Sequence, residues 1–190
     1  MPGREDAAPS PDRPTCLVLI GYRGCGKSTV GQLLAQQLNW EHLDSDAQVA
    51  SRAGKSIRRI FAEDGQEAFR QLEAEAVAQL VRRPRSVVSL GGGAVLRADN
   101  RQAIAACGSV IWLRARPETL AERILHDPAT LGQRPELTAA GGREEIDQLL
   151  AERTPLYRHC ASLVVDTDDR SPAEVTAQIL RELGGQPHGA

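Results

Sequence analysis

Gly21-Tyr22-Arg23-Gly24-Cys25-Gly26-Lys27-Ser28-Thr29 reads G-x-x-x-x-G-K-S and directly follows the apolar run Cys16-Leu-Val-Leu-Ile20. After it come Val30, Leu33, Leu34 and Leu38, apolar positions that share one helical face. Strand, glycine-rich turn and helix form the context that a phosphate-cradling loop requires. The glycines let the backbone turn its N–H groups into one concavity, and the positive end of the new helix adds to it. In that setting Lys27 reaches the β- and γ-phosphates and the Ser28 hydroxyl is a ligand for Mg²⁺. The stretch therefore implies a nucleoside triphosphate site formed by Gly24, Cys25, Gly26, Lys27, Ser28 and Thr29.

The rest of the chain narrows the class. One hundred and ninety residues suit one domain with a real core. A net charge of −2 offers no general attraction to nucleic acid or to anionic lipid, and 3% aromatic residues argue against base-stacking platforms. No apolar run approaches the ~20 residues of a membrane span. The segment MPGREDAAPSPDRP lacks an apolar signal core and reads as a disordered leader over residues 1–14. A single domain is expected over 15–185, with a frayed tail over 186–190. The four cysteines show no C-x-x-C pair and no zinc spacing, which fits reduced thiols and a cytoplasmic setting. Cys25, inside the loop, is a candidate for oxidation sensitivity.

In chain order, Trp40–Leu43 reads as a second strand ending in Asp44-Ser45-Asp46. Carboxylates at a strand's C-terminal end lie on the edge where open parallel sheets place ligands. Ser56 caps a short helix carrying Ile57, Ile60 and Phe61, and Asp64-Gly65 breaks it. A longer helix follows, with Phe69, Leu72, Ala76 and Leu80 on one face and with Arg70 and Glu73 spaced to pair. Ser86–Leu90 reads as a third strand running into Gly91-Gly92-Gly93, whose backbone N–H groups stay open to a ligand. A helix near 97–106, a strand at Val110–Leu113 and a helix opened by Pro117 come next. Residues 126–142 are irregular and hold Arg134, which suits a closing lid. Glu144–Arg158 is helical, with Ile146, Leu149, Leu150, Arg153 and Tyr157 on one face, and Pro155 is expected to kink or shorten it. Leu163–Val165 is a fifth strand, and Ser171-Pro172-Ala173-Glu174 is a capping box. Strands alternating with helices imply an α/β fold with a parallel, doubly wound sheet covered on both faces.

Taken together, GYRGCGKST, D-S-D, GQEAFRQLE, SLGGGAV, RPEL and ERTPLYR, in this order, resemble the shikimate kinase family. The resemblance implies a P-loop, nucleoside-monophosphate-kinase-like, three-layer α/β/α core with five parallel strands in the order 2-3-1-4-5. It implies a substrate-binding region at about 45–80, a mobile lid at about 126–142 and a monomer. The implied reaction moves the γ-phosphoryl group of Mg²⁺-ATP to the 3-hydroxyl of shikimate. Asp46 matches the carboxylate that holds the reacting hydroxyl, and Asp44 the one oriented toward the metal beside Ser28. Arg70 and Arg153, with Gly92 and Gly93, match the grip on the substrate carboxylate. Arg134 matches the lid arginine and Arg123 the arginine near adenine, so the catalytic set is Lys27, Asp46 and Arg134. Two departures stand out: Gly65-Gln66 where glycine-glutamate is usual, and R-P-E-L where an apolar residue commonly follows the proline. A gluconate-type kinase shares the loop but not the F-R-x-x-E and G-G-G pairing. An adenylate-type kinase takes a phosphate as acceptor. A regulatory module that had lost its chemistry would show damage at Lys27, Asp46 or the arginines, and all are intact.

Overall fold

The computed structural model describes residues 16–126 and 142–185. The expected leader, the interior of the lid with Arg134, and the tail lie outside the described residues. β1 (Cys16–Ile20) is buried along its whole length, as a central strand covered on two faces must be. Its alternation divides the apolar interior. Leu17 and Leu19 join one cluster with Leu34, Val175 and Ile179, while Val18 and Ile20 join another with Val77, Leu80, Ile104 and Trp112. Fully burying each such aliphatic side chain contributes about 1.5–3 kcal/mol.

The other strands are β2 (Glu41–Asp44), β3 (Ser86–Ser89), β4 (Gly108–Arg114) and β5 (Leu163–Asp166). The sheet order is β2-β3-β1-β4-β5 and every pairing is parallel. Its C-terminal edge therefore carries Asp44, the turn after Ser89, the loop after Ile20 and the residues after Asp166.

Among the described residues the helices are α1 (Lys27–Leu38), α2 (Ser45–Ala53), α3 (Ile57–Glu63), α4 (Gly65–Leu80), α5 (Ala98–Ala105), α6 (Pro117–His126), α7 (Gly142–Cys160) and α8 (Pro172–Gly185), with a 3₁₀ turn at Ala94–Leu96. α4 packs on α2 and α3 around Val49, Ile57, Ile60 and Phe69, a third apolar cluster apart from the sheet. Phe61 stacks on Phe69 with ring centroids 4.6 Å apart. The box at Ser171 closes as its spacing predicts: Ser171 Oγ accepts from Glu174 N at 3.3 Å and Ser171 N donates to Glu174 Oε2 at 2.8 Å.

Three features differ from expectation. The second strand lies one residue later, at Glu41–Asp44, and Ser45 opens a helix that the sequence pattern does not announce. Asp44 is the reason: its Oδ1 accepts from Asp46 N (2.9 Å) and Ala47 N (3.2 Å), capping α2. Pro155 neither ends nor shortens its helix, which runs to Cys160. Both Pro155 and Ala151, whose carbonyl loses its usual donor, lie on the exposed side of the helix, where water can replace that donor.

Candidate active site

Gly21 leaves β1 with φ of 139°, a conformation that side chains rarely adopt. A Cβ there would sit 2.4 Å from the Leu113 carbonyl oxygen, so the loop can cross the end of β4 only as glycine. The chain then curls over the start of α1. Lys27 Nζ donates to the carbonyls of Gly21 and Tyr22, each at 2.9 Å, and lies 3.7 Å from Cys25 Sγ. Cys25 is buried, which agrees with a packed thiol more than with an exposed oxidation target.

Ser28 Oγ donates to Asp44 Oδ2 at 3.2 Å. The Asp44 carboxylate thus caps α2 with one oxygen and meets the loop with the other. Ser45 is buried and its Oγ accepts from Gly91 N at 2.8 Å, which ties the D-S-D stretch to the glycine turn. Around these groups opens a cleft of about 1050 Å³. Its walls are the loop from Arg23 to Thr29, the carboxylates Asp44 and Asp46, the turn at Gly91 and Gly92, and Arg123.

Arg70 and Arg153 are buried instead of solvated, and neither stands in the wall of that cleft. Arg70 Nη1 pairs with Glu73 Oε2 at 2.6 Å, and Glu73 is fully buried. The Arg70 guanidinium packs so closely on Gly93 that a Cβ there would meet both its terminal nitrogens at 2.6 Å. Arg153 lies 5.8 Å from the ring centre of Tyr22 and beside Tyr157. Tyr157 donates to Gly92 O at 2.5 Å, and burial holds its phenol well above the usual range. Both arginines therefore reach the same glycine turn, Arg70 at Gly93 and Arg153 through Tyr157.

A family model for shikimate kinase matches residues 23–184. The chain belongs to the shikimate kinase family. It is 42% identical over 169 residues to a shikimate kinase of Rhodopirellula baltica, covering 89% of this chain and 90% of that protein. It is 46% identical over 167 residues to that of Oleidesulfovibrio alaskensis, covering 88% and 96%. Among solved structures, the shikimate kinase of Acinetobacter baumannii in complex with shikimate superposes with a TM-score of 0.84 at 31% identity, covering 90% of this chain and 94% of that one.

Within this shikimate kinase family member, the structure gathers Lys27, Ser28, Asp44, Asp46, Gly92 and Arg123 on one cleft. Arg123 is a strut in that wall. It donates to Thr167 Oγ1 at 3.0 Å, to Thr167 O at 2.7 Å and, weakly, to Gly24 O at 3.4 Å. Thr167, together with Arg170 and Val175 of the same wall, was not legible as a site residue. Its one available signal was its place just after a C-terminal strand end. The contact at Gly93 makes a specific prediction. Gly93→Ala should push the Arg70 guanidinium off its seat and, with Arg70 gripping the acceptor as the resemblance implies, raise KM for the acceptor by about 10-fold or more, the loss expected for one charged hydrogen bond, with KM for ATP little changed. Steady-state kinetics with each substrate varied in turn will check it.

His42 supports the loop from beneath. Ser89 Oγ gives its proton to Lys27 O at 3.1 Å, so His42 Nε2, 3.0 Å away, is the donor to Ser89. A Cβ on Gly31 would lie 2.7 Å from that ring, so α1 rests directly on it. Burial lowers the His42 pKa, opposed in part by Asp44. A histidine whose folded pKa lies below the unfolded value of about 6.5 stabilises fully above that pH and loses this contribution as pH falls through the folded pKa. His42→Gln should therefore flatten the decline of Tm between about pH 7 and pH 5, readable by thermal scans at matched ionic strength.

Proposed function

We propose that this protein transfers the γ-phosphoryl group of ATP to the 3-hydroxyl of shikimate, giving shikimate 3-phosphate and ADP, a step toward aromatic amino acids. Its class, an ATP-dependent phosphotransferase, follows from the family. The observation that carries the finer reading is the approach of two buried arginines to the glycine turn, beside a cleft that holds both a phosphate loop and Asp46. A phosphate loop suits any triphosphate, whereas two planar guanidinium groups held out of water suit a carboxylate.

In this reading the backbone N–H groups of Gly24, Cys25, Gly26, Lys27, Ser28 and Thr29 cradle the phosphates, and Lys27 meets the β/γ charge. Arg123 flanks the adenine. Asp46 takes the proton of the attacking hydroxyl as that oxygen bonds to phosphorus and the bond to the ADP oxygen breaks. Arg134, on the lid over about 126–142, neutralises charge on the transferring group. Arg70 and Arg153, with backbone donors at Gly92 and Gly93, fix the substrate carboxylate.

The donor set at Ser28 and Asp44 is all oxygen, with two oxygens facing each other at 3.2 Å. Among the described residues no group of three or more His, Cys, Asp or Glu is placed to hold a metal. Such a sparse site fits Mg²⁺, which keeps several waters and takes one or two protein oxygens along with phosphate. Bound there, Mg²⁺ would neutralise phosphate charge. The domain limits 15–185, the acceptor region at 45–80, a monomeric state and a cytoplasmic setting belong to the same proposal. No helix among the described residues is long and apolar enough to cross a membrane.

The test uses the carboxylate. Arg70→Lys and Arg153→Lys keep the charge but lose the two-pronged geometry, and each should raise KM for shikimate about 10- to 150-fold with ATP binding little altered. An analogue with a neutral amide in place of the carboxylate should serve wild type poorly and lose much less in the arginine variants. Equal use of the amide and of shikimate by wild type would refute the assignment.

A further inference from the structure

Arg23, the third residue of the phosphate loop, lines the main cleft. Its Nη2 donates to Glu145 Oε1 at 3.2 Å, with the Arg23 side chain 26% exposed and that of Glu145 fully buried. Glu145 lies in the first turn of α7, two turns before Arg153 on the same helix. Between them stands Tyr22, itself 3% exposed, with the Arg23 guanidinium 6.0 Å and the Arg153 guanidinium 5.8 Å from its ring centre. Burial and the nearby Glu145 carboxylate both raise the Tyr22 pKa, opposed by Arg23 and Arg153, so all four side chains share one electrostatic neighbourhood.

The positive end of α7 favours a carboxylate in its first turn, but the Glu145 side chain is fully buried and has given up its hydration. A buried ion pair is seldom a gain in stability over apolar side chains of the same size, so its retention at this spot calls for another role. The two ends supply one. Arg23 belongs to the loop that holds the nucleotide phosphates, and Glu145 belongs to the helix that carries the acceptor-side Arg153. The pair thus ties the phosphate loop directly to the helix that carries Arg153.

We propose that Arg23 and Glu145 are positioning residues, an ion pair that fixes the phosphate loop relative to α7 so that donor and acceptor meet in line. The inference rests on the phosphoryl-transfer reading above. Each ligand keeps its own contacts without the pair, but their mutual placement loosens. Misplacement of about 1 Å costs up to about 10²-fold in rate while leaving separate binding intact.

The experiment compares wild type with R23M/E145Q, which removes both charges at similar volume, and with R23K, which keeps the pair. We expect kcat of the double variant to fall about 10- to 100-fold. Dissociation constants for ADP alone and shikimate alone, by calorimetry, should stay within about threefold, and R23K should recover most of kcat. A double variant with lower Tm but unchanged kcat would reduce the pair to a structural tie and overturn the proposal. So would a loss of kcat matched by equal loss of ADP or shikimate binding, or one that R23K shares in full. If R23M/E145Q does not fold, E145Q and R23K decide on the same readouts. The phosphoryl-transfer reading is judged separately, by wild-type turnover. Should wild type prefer another carboxylated alcohol, the ratio of variant to wild type is measured on that one.

Discussion

Lys27→Ala is expected to lower kcat by about 10³-fold, at or beyond the upper range for removing one group that meets charge in the transition state. The expectation is large because Lys27 sits in the concavity of the loop, fixed by the carbonyls of Gly21 and Tyr22, where its charge needs little reorganisation to meet the β- and γ-phosphates. Two structural effects oppose each other in the variant. The loop loses two charged hydrogen bonds, worth about 1.5–3 kcal/mol each when well desolvated. It also loses a cation in the first turn of α1, at the positive end of the helix, which relieves repulsion. Because Lys27 is only partly buried, solvent screening discounts the lost bonds and the relieved repulsion offsets part of the remainder, so Tm should fall by about 5 °C or less. Turnover near normal in a cooperatively folding variant would remove Lys27 from the reaction.

Asp46→Asn should lower kcat about 10²-fold or more, within the range of general-base work. The substitution is clean for a reason visible in the fold. The cap of α2 is made by the Asp44 carboxylate on the backbone of Asp46 and Ala47, so the Asp46 side chain is not needed for it. Its KM for shikimate should move far less than in the arginine variants, because asparagine keeps size and one acceptor. Asp44→Ala, by contrast, should also lose the cap, costing about 1 kcal/mol in stability. A thermal scan run beside the kinetics separates the two aspartates.

These residues also show what a sequence makes visible. The loop at Gly21–Thr29 is legible because its chemistry depends on backbone conformation and fixed spacing, both of which constrain residue type locally. The five-stranded parallel sheet is legible for a related reason: β1 must be apolar throughout, and its helices carry periodic faces and a complete cap at Ser171. What escaped depends on tertiary context. α2 is only nine residues long and Val49 is its one buried apolar side chain, so no apolar run announces it, and Asp44 reads equally well as a ligand or as a cap. Pro155 looks like a breaker until the exposure of its face is known. Glu145 resembles any acidic residue at a helix start, and nothing local shows that Arg23, over a hundred residues earlier, meets it. Arg70 and Arg153 carry a further lesson. Helix pattern alone leaves Arg70 as a solvated charge, and only its packing against Gly93 reveals a guanidinium held out of water, whereas Arg153 already stands in an apolar stripe.

The most direct measurement is transfer itself: purified protein, ATP and Mg²⁺, with shikimate or gluconate as acceptor, ADP formation followed by coupled assay and the product by ³¹P spectroscopy. Phosphoryl transfer to shikimate predicts ADP release that depends on shikimate, with a new phosphomonoester on its 3-hydroxyl, and turnover with gluconate lower by at least about 10³-fold, because two buried arginines and one positioned carboxylate accept a single geometry. Equal turnover with gluconate, or ATP hydrolysis that shikimate does not stimulate, would contradict it.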